Sequence, residues 1–211
     1  METITQKTST VFIRYAIPSI LGMLAISSAG VVDGFFVGNY VGASGIAAIN
    51  LAMPIFALLF GVALMLGVGS CVVSGKLLAE GDEKSASIMF SKTVLAMTVL
   101  SILMVSVLYF FVNEILTALG ATGNLLNDAA IYIIIFLPFI PFLMVAIVLD
   151  YFVKIDNRPG LAFWSLLVSA LINIILDWFL IAYLETGILG AALATGISQI
   201  ALLLILLPHF F

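Results

Sequence analysis

The 211 residues are 64% hydrophobic and 9% charged, with a mean hydropathy of +1.33, whereas soluble domains are roughly half apolar and a quarter charged; a water-soluble globular fold is excluded. Seven Lys and Arg against eleven Asp and Glu leave a formal charge of −4, without the basic footprint that nucleic-acid binding requires. The single cysteine, Cys71, allows neither an intrachain disulfide nor a cysteine-based metal site.

A membrane-crossing helix needs about 20 mostly apolar residues. Charged residues and clusters of Gly, Pro and Asn divide the chain into six such runs, near 12–38, 46–75, 88–112, 129–153, 160–183 and 188–207. Lipid cannot satisfy an open strand's backbone groups, so runs of this length are helices, and the apolar–polar alternation of a membrane barrel is absent. The predicted fold class is all-α and integral to the membrane: one six-transmembrane-helix bundle spanning 1–211, its successive helices antiparallel neighbours.

The first run follows a short basic segment with Lys7 and Arg14. It is too long for a signal peptide and no polar mature domain follows, so it reads as a membrane helix. Pro18 removes one backbone donor there and predicts a bend. Gly30, Gly34, Gly38 and Gly42 recur every fourth residue, predicting a smooth stripe against which a neighbouring helix packs closely. The second run ends in Gly69-Ser-Cys-Val-Val-Ser-Gly75-Lys76-Leu77, whose glycine spacing is one residue too long for a phosphate loop and whose Leu77 replaces the required Ser or Thr. Glu80-Gly81-Asp82-Glu83-Lys84 reads as a solvated loop. Pro138 and Pro141 predict a break in the fourth run. Asp150, at the end of that run, reads as an interfacial residue near Lys154, and Asp156 and Arg158 as a solvated turn ahead of Pro159-Gly160. His209, the only histidine, has no second imidazole or carboxylate near it in sequence, so no metal site or hydrolytic triad is expected and the chain is not read as an enzyme.

Short cytoplasmic loops retain Lys and Arg. The N-terminal flank holds Lys7 and Arg14, the second connection Lys76, Lys84 and Lys92, and the fourth Lys154 and Arg158, which accounts for all seven; the alternate connections carry Glu114, Asp128 and Glu185 instead. Both termini are therefore predicted to be cytoplasmic.

An Asp at the centre of a membrane helix costs on the order of 2.5–3.5 kcal/mol on insertion scales. Asp33 and Asp177 are the two clear cases. With cytoplasmic termini, the first and fifth runs both travel outward, so the two carboxylates share a depth in the outer half. Asn173 precedes Asp177 by four residues and projects from the same helical face. Thr195, two turns into the sixth run, reaches a similar level. Asp33, Asn173, Asp177 and Thr195 thus form a candidate oxygen-rich pocket suited to a proton or a sodium ion; the alternative is a hydrogen-bond cluster that glues three helices.

These residues carry a resemblance. Ala16-Ile-Pro18-Ser-Ile-Leu with Val32-Asp33-Gly34-Phe-Phe-Val-Gly38 resembles the first helix of the multidrug and toxic compound extrusion (MATE) family of cation antiporters, and Asn173-Ile-Ile-Leu-Asp177-Trp178 with Gly187-Ile-Leu-Gly190-Ala-Ala-Leu-Ala-Thr195-Gly-Ile-Ser-Gln199 its fifth and sixth helices. The resemblance implies a secondary active efflux transporter of the bacterial plasma membrane, with small-molecule organic cations as cargo, a proton or sodium as coupling ion and no enzymatic cofactor. It implies that positions matching Asp33, Asn173, Asp177 and Thr195 line an amino-terminal-lobe cavity used for coupling and drug release. Family members have twelve helices in two lobes, so this chain is expected to be the amino-terminal lobe of a longer protein, or to find its second lobe by association, for instance as a homodimer. Lys154-Ile-Asp-Asn-Arg158-Pro159 fits the family's usual turn only loosely. Two other readings stay open. A lipid-linked sugar flippase lobe would need cavity-facing Arg or Lys, and only Arg14 lies near a span; a non-transporting membrane scaffold would tolerate loss of both Asp residues.

Overall fold

The computed structural model describes residues 8–211, so Lys7 of the basic N-terminal flank lies outside the described residues. Every regular element among them is helical. Helix α1 (Thr8–Phe36) continues into a π-helical segment, Val37–Val41; α2 spans Ala43–Ala79 and α3 Glu83–Ala118; α4 (Gly123–Phe136) meets α5 (Ile140–Ile155) through a 3₁₀ turn at Leu137–Phe139. Helix α6 (Pro159–Asp177) runs into a second π segment, Trp178–Tyr183, and α7 (Ile188–Leu206) closes with a 3₁₀ turn at Leu207–Phe210. Together these make six helical spans long and apolar enough to cross a bilayer, and each apolar run of the sequence lies inside one of them.

Helix α5 is the axis, packed by α2, α3, α6 and α7. It approaches α2 closely at Gly67, where a Cβ would stand 3.6 Å from the Val148 Cα. On α7, Gly196 makes room for the Phe139 ring, which a Cβ there would strike. The outer faces are apolar too, with Leu95, Ile102, Leu103 and Phe110 of α3 exposed. So large an uncovered apolar surface matches lipid rather than water.

Polar side chains along the spans mostly fold back onto their own helices, as a medium without water demands. The hydroxyls of Thr93, Thr98 and Ser106 donate to carbonyls one turn earlier. Asp82 caps α3, its carboxylate accepting the Ser85 N–H at 3.0 Å. Asp150 is buried but tied to Lys154 one turn on at 2.5 Å, in keeping with its reading as the interfacial partner of that lysine.

One local expectation needs correction. The Gly30–Gly42 stripe is not a packing face: a Cβ at Gly30 or Gly34 would meet nothing within 4 Å, Gly38 would touch only the tip of Ile46, and Gly42 is a turn with φ +92°. Glycine here leaves space open and ends the span. Pro18 lies inside α1, and Pro138 and Pro141 accompany the predicted break between α4 and α5. His209, with no carboxylate near it in sequence, meets Asp156 at 2.7 Å across 53 residues of chain. The adjoining Phe210 stacks on Phe90 at 4.4 Å.

Candidate functional site

Three elements bring the oxygen-bearing side chains together. On α6, Ser169, Asn173 and Asp177 recur every four residues and share one face. All three are buried, Asp177 completely. On α7, Thr195 and Gln199 lie one turn apart, and Ser198 between them accepts through its carbonyl the Ser169 hydroxyl at 2.8 Å, which ties α7 to α6. Helix α1 packs chiefly against α6 and presents Asp33.

Asp33, Asn173 and Thr195 line one cavity of about 300 Å³, together with Ser169, Ser198 and Gln199. Its opposite wall is apolar and aromatic, formed by Met53, Phe56 and Phe60 of α2 and by Tyr132 and Phe136 of α4. Phe56 meets Phe136 edge to face at 5.0 Å and Tyr132 at 6.0 Å. Gly30, next to Asp33 in the lining, leaves the α1 side open. Asp177 is not on the wall; it is fully buried on α6, one turn beyond Asn173.

The carboxylates are unusual in what they lack. Oδ1 of Asp33 and both side-chain oxygens of Asp177 are buried with no hydrogen-bond partner. Buried carboxylate oxygens left without donors are costly, and a proton or a cation supplied from outside relieves that cost. The oxygens that line the cavity, from Asp33, Asn173 and Thr195, are hard donors of the kind a sodium ion or a proton takes. No group of three or more His, Cys, Asp or Glu suited to a multivalent metal occurs among the described residues.

Tyr132 completes the cluster and was not singled out from sequence. It is buried and lines the same cavity as Thr195 and Asp33. A lone tyrosine in the apolar run Ile131–Phe136 gives a weak signal, although the inward course of the fourth span places it near the depth of Asp33. Ser169 and Gln199 were legible by spacing, one turn from Asn173 and Thr195. Pro18 is remote from this cavity and borders a separate groove at the other end of α1.

The MatE family model matches residues 18–179, a stretch holding Asp33, Tyr132, Asn173 and Asp177. The chain belongs to the MatE family. Among its MatE relatives, the multidrug export protein MepA of Staphylococcus saprophyticus is 28% identical over 197 residues, covering 93% of this chain and 44% of that protein. MepA of Staphylococcus aureus is likewise 28% identical over 197 residues, with the same coverage. Solved structures share the fold. A crystal structure of MATE in complex with MaD3S superposes with a TM-score of 0.90 at 22% identity, over 95% of this chain and 45% of that one. A MOP superfamily transporter from Pyrococcus furiosus gives 0.89 at 22% identity, over 95% and 44%. The chain therefore spans less than half the length of the curated relatives it matches. MatE members are transporters, not enzymes, and the six apolar helices with bacterial relatives make this a multi-pass protein of the cell membrane.

Proposed function

We propose that the chain is the amino-terminal six-helix lobe of a secondary active multidrug efflux transporter, exchanging organic cations for protons or sodium by alternating access, with both termini in the cytoplasm. The observation that carries this reading is the set of unpartnered buried oxygens on Asp33 and Asp177 beside a cavity with an aromatic wall. Asp33 faces the cavity and takes the incoming proton or sodium ion. Asn173 and Thr195 supply neutral oxygens, and Asp177 holds a second charge behind them. Two carboxylates in one low-dielectric site disfavour carrying both charges uncompensated, so the pair responds as a unit to ion or cargo.

The aromatic and thioether side chains of Phe56, Phe60, Phe136 and Met53 suit the apolar body of an organic cation, and ring faces attract its charge. Ion and drug then compete for Asp33. Alternating access needs a second lobe rocking against this one, supplied by further chain or by a second copy; Pro18 is the bending point assigned to α1. The cavity lining holds no Lys or Arg, which favours cationic cargo over the anionic headgroups of a flippase substrate. Fluorescence anisotropy of an organic-cation dye bound to the purified protein tests the competition. Sodium or acid should displace the dye from the wild type and fail to do so from Asp33→Asn, whereas dye release that ignores both ions would overturn the reading.

A further inference from the structure

A second, separate groove lies at the opposite end of α1, where its N-terminal turns meet the start of α6. It measures about 490 Å³ and is lined by Arg14, Pro18, Asn157, Arg158, Pro159, Gly160 and Leu161, within the roughly 300–1,000 Å³ typical of ligand sites. Two guanidinium groups border it, from Arg14 and Arg158, and neither lies within 4 Å of a carboxylate among the described residues, where the ion pairs are Lys76–Glu80, Lys154–Asp150 and His209–Asp156. The nearby carboxylates are already engaged: Asp150 by Lys154 and Asp156 by His209.

The groove is also built. The Tyr15 hydroxyl donates to Asn157 Oδ1 at 2.6 Å, bridging α1 to the connection between α5 and α6. Asn157 holds φ 58°, a left-handed conformation that a non-glycine residue adopts at some cost, and buried Pro159 fixes the first turn of α6. The α6 N-terminus adds its positive dipole to the two arginines. Immediately beside them, α1 offers bare apolar surface: Phe12, Ile13, Ile17, Ile20 and Leu21 are all exposed.

We propose that this groove binds the phosphodiester headgroup of an anionic membrane lipid, Arg14 and Arg158 clasping the phosphate while the acyl chains lie along Ile13, Ile17 and Leu21. Paired guanidinium groups match phosphate oxygens in geometry and charge, and a basic pocket between helices at the membrane surface suits a charged headgroup. A free phosphate ion would use the arginines but leave the apolar flank unexplained. The bound lipid would pin the cytoplasmic end of α1 to α6, next to Pro18. This site shares no residue with the cavity at Asp33 and stands whether or not that cavity couples ions.

Native mass spectrometry of the protein released from detergent tests it. Wild type should retain phosphatidylglycerol in preference to phosphatidylcholine. Arg14→Gln and Arg158→Gln should each weaken that retention about fivefold, as expected for one basic residue at a lipid surface, while Lys76→Gln, also basic and exposed, should leave it unchanged. Arg14→Lys with Arg158→Lys, which keeps the charge but not the paired geometry, should keep only part of it. Equal retention of the two lipids by wild type would overturn the proposal, and that arm needs no variant that might misfold. Displacement of phosphatidylglycerol by millimolar inorganic phosphate would overturn the lipid as the source of the phosphate, as would an equal loss in Lys76→Gln.

Discussion

Asp33 and Asp177 stand on two packed helices, each close to the point where its helix widens from α to π. Asp177 is the last α-helical residue before Trp178–Tyr183, and Asp33 lies one turn before Val37–Val41. The widened segments close with equivalent bonds, Gly42 N–H to the Val37 carbonyl and Leu184 N–H to the Phe179 carbonyl, both at 2.9 Å. π-Helical turns inside longer helices concentrate at functional sites. Here they release helices α1 and α6 from strict register beside the two carboxylates.

The open space at Gly30 predicts a separation of stability from transport. Gly30→Leu should fill the cavity at little cost to folding, since nothing lies within 4 Å of its Cβ position. Gly196→Leu should destabilise the bundle by about 1–3 kcal/mol through overpacking against Phe139. Thermal unfolding of the two purified variants, with cation flux measured in parallel, checks both. Equal stability losses would contradict the packing described.

Orientation is testable by thiol labelling after Cys71, buried against the Tyr151 carbonyl, is replaced by serine. A cysteine at exposed Thr122 should react with an impermeant reagent in intact cells, and one at exposed Glu80 should react only after permeabilisation. The reverse pattern would invert the topology.

At the start of α3, the Ser85 side chain and amide hold the Asp82 carboxyl below its usual range. A lowered folded-state pKa means that the cap stabilises α3 above the ordinary carboxylate pKa of about 3.9 and is lost as pH falls through the lower folded value. Amide exchange at Ser85 and Ala86 should therefore quicken in strong acid, and Asp82→Ala should quicken it already at neutral pH. Protection unchanged in the variant would show that the cap contributes nothing.

Most of this architecture was readable because lipid imposes a simple rule: about 20 apolar residues for each crossing. The runs ended where Gly42, Glu80–Lys84, Gly120–Gly123 and Asn157–Pro159 interrupt them, and helices turn at those places. Depth arithmetic also served the site, since Asp33, Asn173 and Thr195 meet at one cavity. What escaped depended on contacts between distant segments. The Gly30 stripe looked like a packing surface because four-residue spacing fits packing and vacancy alike. Tyr132 belongs to the cluster only through the folding of α4 against α7, and the Asp156–His209 pair spans 53 residues. The π segments have no periodicity signal of their own.

Replacing Tyr132 with phenylalanine should leave the fold intact, because the ring still packs against Phe56, yet weaken the arrangement of Thr195 beside the carboxylates. Ion-coupled flux should fall by less than in either Asp variant. A loss as large as that of Asp33→Asn would move Tyr132 from a supporting part to a principal one.

The central claim, that Asp33 and Asp177 form the ion-coupling pair, is tested most directly by measuring gradient-driven organic-cation flux and thermal stability on the same purified samples of wild type, Asp33→Asn, Asp177→Asn and the double variant, in the complete two-lobe transporter. The amide keeps each side chain's shape and removes its charge, so folding should persist while coupled flux falls roughly 5–150-fold, the span of typical coupling energies. Undiminished coupled flux in the double variant, or a fall in stability with flux per folded molecule preserved, would contradict it and leave a structural cluster in its place.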